Sequence, residues 1–256
     1  METARAYGEA NGRFIVVRPG LLSLLQDRGR CGLAFYAIPP SGPLDGRSAG
    51  LANAILGNDP DAPLVECHFA PPTLQFESPA VVCLTGADMH WMLDGRPAPR
   101  NSTVAVAAGG TLSGRPAGAG CRAYLGVQGF IRTTTTYGSA STYLLGKFGG
   151  NGGRPLAAGD VIDWRSAEEP KPRMSVVIAD ELALRCEITL RPGPEFDRLT
   201  PDAQNDLKTG EFRVSPRSDR MGATLDGPPL TLRSATMVHS VPTLPGMVQL
   251  PPSGAP

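Results

Sequence analysis

Five groups of residues carry the functional chemistry this sequence could offer. Gln26-Asp27-Arg28-Gly29-Arg30 sets an amide, a carboxylate and two guanidinium forks within five positions. Two arginines beside an acid in a glycine-containing loop can grip a carboxylate or phosphate bidentately. The same residues suit a structural turn in which Asp27 caps backbone amides and pairs with an arginine. Gly138-Ser139-Ala140-Ser141-Thr142-Tyr143, preceded by Thr133 to Thr136, is dense in hydroxyls. Ser139, Ser141 and Thr142 could hold a polar substrate, or could satisfy turns and strand edges. Gly146 to Arg154 is glycine-rich and flanked by Lys147 and Arg154. Its amides could approach an anion, or it could be a flexible hairpin loop. Ser218-Asp219-Arg220-Met221-Gly222 offers an oriented ion pair or a surface turn. Glu66, between Val65 and Cys67, is a carboxylate in a strand-like run; if buried it must be paired or protonated.

Other chemistries lack their signatures. There is no phosphate-loop motif and no H-E-x-x-H. His68, His90 and His239 are far apart, and none has a partner at ligand spacing. His90 reads as decoration on a strand face. No Met-Lys-Met occurs, so no biotin is expected on this chain. Gly46-Arg47-Ser48-Ala49-Gly50 matches G-x-S-x-G, but Ser48 falls inside a helical pattern instead of on a strand-to-helix turn, so it reads as a chance match. The five cysteines form no C-x-x-C pair. Cys67, Cys83, Cys121 and Cys186 lie in strand-like runs and read as buried reduced thiols.

Acidic and basic residues balance at 24 each in 256 residues, so no net field steers the chain to nucleic acid or an anionic membrane. Only three basic residues are lysine; the arginines supply planar forks. The N-terminus lacks an apolar core of the secretory kind, and no run of about 18 apolar residues exists. Cytoplasm is the expected location.

The elements that must position these groups are mostly strands. Gly (31) and Pro (26) are scattered, as in a protein of short strands joined by tight turns. Strands are expected at 14–17, 21–26, 64–69, 73–76, 80–85, 89–93, 102–106, 121–127 and 160–164, with a hairpin turn at Asp94-Gly95. One helix is expected over 44–56, from Leu44, Ser48, Leu51, Ala52, Ile55 and Leu56 at helical spacing. Its start suits Pro43 and Asp45 and its end Gly57-Asn58. The charged, proline-rich stretch 166–173 reads as a linker. Beyond it, strands are expected near 174–179, 185–191, 211–214, 229–233, 236–239 and 246–250. A short helix near 200–208 would be capped by Thr200, with Pro201 in its first turn.

These stretches, in this order, resemble the allophanate hydrolase subunit 2 / biotin-dependent carboxyltransferase family, in its form as the C-type subunit of 5-oxoprolinase. Carrying the likeness are Pro19-Gly20-Leu21, Gln26 to Arg30, Ser41-Gly42-Pro43-Leu44-Asp45, Ala52 to Asn58 and Glu66. Further matches are Leu84-Thr85-Gly86-Ala87, Arg122-Ala123-Tyr124-Leu125, Gly138-Ser139-x-Ser141-Thr142 and Pro155-Leu156-x-x-Gly159-Asp160. The last are Pro192-Gly193-Pro194, Ser218 to Gly222 and Pro245 to Gly254. Ala140 stands where the family usually has arginine, which removes an anion contact or a structural ion pair. Ala70-Pro71-Pro72 departs from the usual turn after Glu66.

The resemblance implies a mainly β, cyclophilin-like barrel architecture in two subdomains with one or two short helices. The first would span 14–165 after a flexible 1–13, and the second 174–256. Family members continue through further closing strands, so the second subdomain is expected to be incomplete, with an unpaired strand edge. The implied function is one part of an ATP-dependent 5-oxoprolinase complex that opens 5-oxo-L-proline to L-glutamate, inactive alone. Implied partners are a B-type subunit 1 homologue and an A-type lactam-utilisation protein. ATP with Mg²⁺ would act at the level of the complex. Expected catalytic groups are Asp27, Glu66 and Asp219. Expected contacts to substrate or anion are Gln26, Arg28, Arg30, Ser139, Ser141, Thr142, Lys147 and Arg220. Two other roles known in the family stay open: the carboxyltransferase of a biotin-dependent urea carboxylase system, and a non-catalytic regulator that binds a kinase-inhibitor homologue of subunit 1. A non-functional remnant is a fourth reading.

Overall fold

A computed structural model describes residues 12–165, 188–234, 243–251 and 253–256. The expected linker at 166–173, the strands at 174–179 and 236–239, residues 185–187 of the one at 185–191, and Cys186 and His239 lie outside the described residues; residues 188–191, expected to complete that strand, are irregular chain. The chain divides into two units, Met1–Leu184 and Arg185–Pro256.

In the first unit the strands run β1 (Gly12–Arg18), β2 (Leu22–Gln26), β3 (Leu64–His68), β4 (Thr73–Phe76), β5 (Ala80–Asp88), β6 (Met92–Leu93), β7 (Arg96–Pro97), β8 (Thr103–Val106), β9 (Thr111–Ser113), β10 (Ala119–Val127), β11 (Phe130–Ile131) and β12 (Val161–Arg165). They form two antiparallel sheets, ordered β11-β12-β1-β4-β9-β6-β7 and β2-β3-β10-β5-β8. Phe14, Leu74, Phe76 and Leu112 from the first sheet meet Leu25, Val65, Leu84 and Leu125 from the second in one core. The helix α1 (Gly46–Leu56) covers the other face of the five-stranded sheet, where Ala52, Ile55 and Leu56 pack on Leu64, Val81 and Tyr124.

The sequence patterns follow from this layering. β1 has one face in the core and alternates buried and exposed side chains. β5 is covered on both faces, so Ala80 to Thr85 are all buried and the run does not alternate. Asp45 caps α1, its carboxylate accepting from the Ser48 amide at 3.0 Å and the Ser48 hydroxyl at 2.5 Å. Ser48 is therefore a capping partner in a first helical turn, as the chance reading of G-x-S-x-G expected. Asp94 (φ 50°) and Gly95 (φ 75°) close the β6–β7 hairpin with two positive φ angles, as a type I′ turn requires.

The strand expected at 89–93 shrinks to Met92–Leu93. His90 takes a left-handed φ of 46°, which breaks the extended run. It is exposed beside Asp88 at 3.5 Å and faces no strand partner.

The second unit holds α3 (Pro201–Thr209), which follows the single helical turn α2 (Gly150–Gly153) in chain order, and a hairpin of β13 (Arg213–Val214) and β14 (Leu225–Asp226). Thr200 caps α3 and Pro201 opens it, as expected. Leu199, Ala203 and Leu230 form its small core. The strands expected at 229–233 and 246–250 do not form: Leu232 makes one isolated bridge to Leu199, and 246–250 is turn and irregular chain. Pro228, Pro229 and Pro245 lack the donors a ladder needs. Single bonds take its place, Leu230 N to the Gly254 carbonyl and Arg233 N to the Arg198 carbonyl.

Close seating of α1 depends on Gly126 in β10. A Cβ there would stand 2.6 Å from Leu56 Cδ1 and 2.8 Å from Leu64 Cδ2. Gly126→Val is expected to destabilise the first unit by about 1–3 kcal/mol through overpacking. The measurement is the urea unfolding midpoint, which should fall with no change in slope.

Candidate functional site

β2 ends at Gln26, and the chain turns sharply at Asp27. The Asp27 carboxylate draws a distant loop onto this turn. It accepts from the hydroxyls of Ser139 (2.5 Å) and Ser141 (2.7 Å), and from the amides of Ala140 (2.5 Å) and Gly29 (2.9 Å). Arg30, buried, reaches across the same junction. Its guanidinium donates to the carbonyls of Ser141 (2.5 Å) and Thr136 (3.4 Å) and to the Ser41 hydroxyl (2.8 Å), and lies 5.0 Å over the Phe148 ring. Burial pushes the Arg30 pKa down from its usual value. Thr142 donates its amide to the Leu25 carbonyl at 3.0 Å, and its hydroxyl lies 3.0 Å from the Gly150 carbonyl. Asp27, Arg30, Ser139, Ser141 and Thr142, expected from sequence as one site, therefore meet. They meet as a knot that binds its own loops.

Glu66 holds a second junction. Its buried carboxylate accepts from Tyr124 Oη and from the Leu44 amide, both at 2.9 Å, and lies 3.7 Å from Arg122 Nε. Tyr124 Oη accepts in turn from the Asp45 amide at 2.7 Å. This relay fixes the start of α1. Burial raises the Tyr124 pKa and lowers that of Arg122.

The glycine-rich loop uses amides that an anion would need. Asn151 N donates to the Thr133 hydroxyl, Gly152 N to the Thr134 hydroxyl and Gly153 N to the Gly149 carbonyl. Lys147 is exposed on this loop. Arg154 makes a two-pronged pair with Asp160 at 2.7 and 2.8 Å. Asp219, in the second unit, closes its own turn by accepting from the Met221 amide at 2.7 Å and the Gly222 amide at 3.2 Å. Burial lowers the Arg220 pKa.

Beside the Asp27 knot lies a cleft of about 550 Å³, a volume in the range of small-molecule sites. Its lining includes Gln26, Asp27 and Arg28, Ser41 and Pro43, and Gly46, Ala49, Gly50 and Asn53 of α1. Arg28 is exposed, 3.6 Å from an equally exposed Asp61; such a pair is weak, which leaves the guanidinium available. Sequence reading missed Ser41, Asn53 and the role of Gly46 and Gly50. The two glycines are four apart on one helix, a spacing that signals a bare strip, but they read only as weak helix formers.

Among the described residues, no group of three or more His, Cys, Asp or Glu is placed to hold a metal ion, and no helix is long and apolar enough to cross a membrane. Cys67 and Cys83 are free and buried, and burial pushes both thiols up to about 12. Cys121 is half-buried and Cys31 exposed.

Two facing antiparallel sheets with a helix sealing one outer face define a mainly β protein, with a cleft beside that helix. The family model for the carboxyltransferase domain, subdomain A and B, matches residues 36–256, and the chain belongs to that family. It is 31% identical to the C subunit of Escherichia coli 5-oxoprolinase over 94% of this chain and 77% of that protein. It is 35% identical to urea amidolyase of Saccharomyces cerevisiae over 83% of this chain but 12% of that protein. Among solved structures, TTHA0988 superposes with a TM-score of 0.79 at 33% identity, covering 97% of this chain and 48% of the other. Kluyveromyces lactis urea carboxylase gives 0.75 at 28% identity, covering 89% and 21%. The chain thus spans a small part of the fungal proteins and about half of TTHA0988. The 5-oxoprolinase and urea amidolyase relatives belong to hydrolase and carboxylase enzyme systems.

Two outcomes test this geometry. Asp27→Ala leaves buried donors unanswered and is expected to cost roughly 3 kcal/mol, whereas Asp27→Asn, which can still accept, should cost about 1 kcal/mol; chemical denaturation reads both, and equal costs would contradict the knot. The Arg154 guanidinium, helped by the Ala157 amide and Asn151, holds the Asp160 carboxyl down to about 2. That folded value lies below the unfolded one of about 3.9. The stability it contributes is complete above pH ~4 and disappears as pH falls toward 2. Between pH 5 and 2 the thermal midpoint of the parent should therefore fall more steeply than that of Asp160→Asn.

Proposed function

We propose that this chain is the C-type component of a cytoplasmic, ATP-dependent 5-oxoprolinase complex that hydrolyses 5-oxo-L-proline to L-glutamate, acting beside a subunit 1 homologue and a lactam-utilisation protein. The observation that carries this reading is the reach of the similarity: alignment with the C subunit of Escherichia coli 5-oxoprolinase runs along 94% of the chain. A lactam is a stable amide, and its opening needs an energy source, which ATP supplies to the complex. The glycine-rich loop does not suit a phosphate cradle, because three of its amides are already bonded within the loop and to Thr133 and Thr134. In this reading ATP and Mg²⁺ belong to the complex, and this chain holds and orients the substrate. The Asp27–Arg30 knot keeps the cleft lining rigid, so that Arg28 meets a substrate without reorganisation.

A second reading, the carboxyltransferase part of a biotin-dependent urea carboxylase system, is favoured by the 35% identity to urea amidolyase. Co-expression with the two partner proteins separates them. Glutamate release from 5-oxoproline is expected only with all three chains and ATP. A folded three-chain complex with no release, together with urea carboxylation when a biotin carboxylase partner is supplied, would replace the first reading by the second.

A further inference from the structure

Residues 31–40 leave the fold as a loop with a fixed base. The Arg30 amide donates to the Pro40 carbonyl at 2.8 Å and closes it. Inside, the amides of Tyr36 and Ala37 donate to the carbonyls of Leu33 and Ala34 at 3.0 and 2.9 Å, and that of Ile38 to the Leu33 carbonyl at 3.3 Å. The loop is therefore held in shape by its own backbone. It carries no charged side chain, and none of its residues is buried. Phe35 is 93% exposed and Tyr36 69%, with the two rings edge to face at 5.5 Å. An apolar loop with a formed backbone and no seat in its own core is costly to keep in water, and exposed patches of this kind mark contact surfaces.

A second group of apolar side chains leaves the same junction. Arg30, at the base of the loop, donates to the Thr136 carbonyl and lies 5.0 Å over the Phe148 ring. Phe148 meets Tyr137 and Tyr143 edge-on, at 5.7 and 5.3 Å. Tyr137 is 60% and Leu145 74% exposed. Aromatic side chains are the commonest anchors of protein interfaces. The charge around them has one sign. Segments 28–44 and 130–149 contain Arg28, Arg30, Arg132 and Lys147 and no acid. Arg30 is buried in the knot, and the other three are exposed; Arg28 has Asp61, from outside both segments, at 3.6 Å. Two copies of the chain meeting through this surface would set like charges against each other. A strand of nucleic acid would need cations along its track, and loop 31–40 has none. What fits is a protein with an apolar groove inside an acidic margin.

We propose that loop 31–40 and the group formed by Tyr137, Leu145 and Phe148 are one docking face, for a partner protein that buries Phe35 and Tyr36 in such a groove. In the proposed complex that partner is the subunit 1 homologue, and this choice of partner rests on the proposed function. Arg132 and Lys147 steer the approach, and the preformed loop keeps the ordering cost of docking low.

Calorimetric titration of the purified full chain with the purified subunit 1 homologue tests this. Replacing both rings, Phe35→Ser with Tyr36→Ser, should weaken binding at least thirtyfold and leave the thermal midpoint of the chain alone unchanged, because neither ring is buried in the fold. Lys147→Glu should weaken binding at least threefold and flatten its dependence on salt. Val161→Ser, which removes an exposed apolar side chain from β12, should change nothing. Undiminished binding by the double variant overturns the docking face and leaves the enzyme reading standing. So does a self-dimer of the chain, seen in sedimentation and abolished in the double variant. No binding of the parent to the homologue overturns both. Binding weakened thirtyfold in the double variant, with no glutamate release from the assembled three-chain complex of the parent, upholds the docking face and removes the enzyme reading. Binding of an oligothymidylate by the parent, lost in the double variant, assigns the face to nucleic acid and overturns the protein partner.

Discussion

The Asp27 carboxylate accepts four hydrogen bonds, three of them from residues 139–141, more than a hundred positions along the chain. Loops of that separation carry a closure cost, and hydroxyl and amide donors converging on one anion offset it through charge-assisted bonds. Arg30 reinforces the junction from the other side, tying residues 136 and 141 to Ser41. The end of β2, the 139–142 loop and the segment leading into α1 are thereby fixed to each other. Without that knot the stretch Gln26 to Arg28 would have no set distance from α1.

A division of labour follows. Residues that would be chosen first as catalysts by their chemistry, Asp27 and Glu66, are occupied in shaping the scaffold: one clamps loops and the other seats the start of α1 through Tyr124 and the Leu44 amide. Arg28, by contrast, is exposed at the same cleft, with an equally exposed Asp61 3.6 Å away. Rigid support around a few adaptable contacts is the arrangement that binding sites generally need.

Most strands of the first unit were legible because their residues obey simple rules. β4 at 73–76 and β5 from residue 80 start where β-branched and aliphatic runs start, and Asp94-Gly95 specifies its turn by backbone sterics alone. The α1 pattern was equally plain, since Asp45 and Gly57 bracket it. The irregular parts were not. His90 breaks a strand through a left-handed φ that no local signal marks. In the second unit, apolar runs at 229–233 and 246–250 resemble strands, yet their flanking prolines leave only isolated bonds. Within the site, sequence brought the hydroxyl cluster and the Gln26–Arg30 stretch into view but not their mutual contact, because a bond across more than a hundred residues has no local signature.

β2 ends its sheet, so its outer side would ordinarily stand open. Instead the amide of Thr142 takes the Leu25 carbonyl and that of Leu156 takes the Ser23 carbonyl. An edge whose acceptors are already answered offers no template for another chain to extend. The polar knot at the cleft therefore also acts as a guard against self-association, and a lesion in the 139–142 loop would expose a sticky border as well as loosen a pocket.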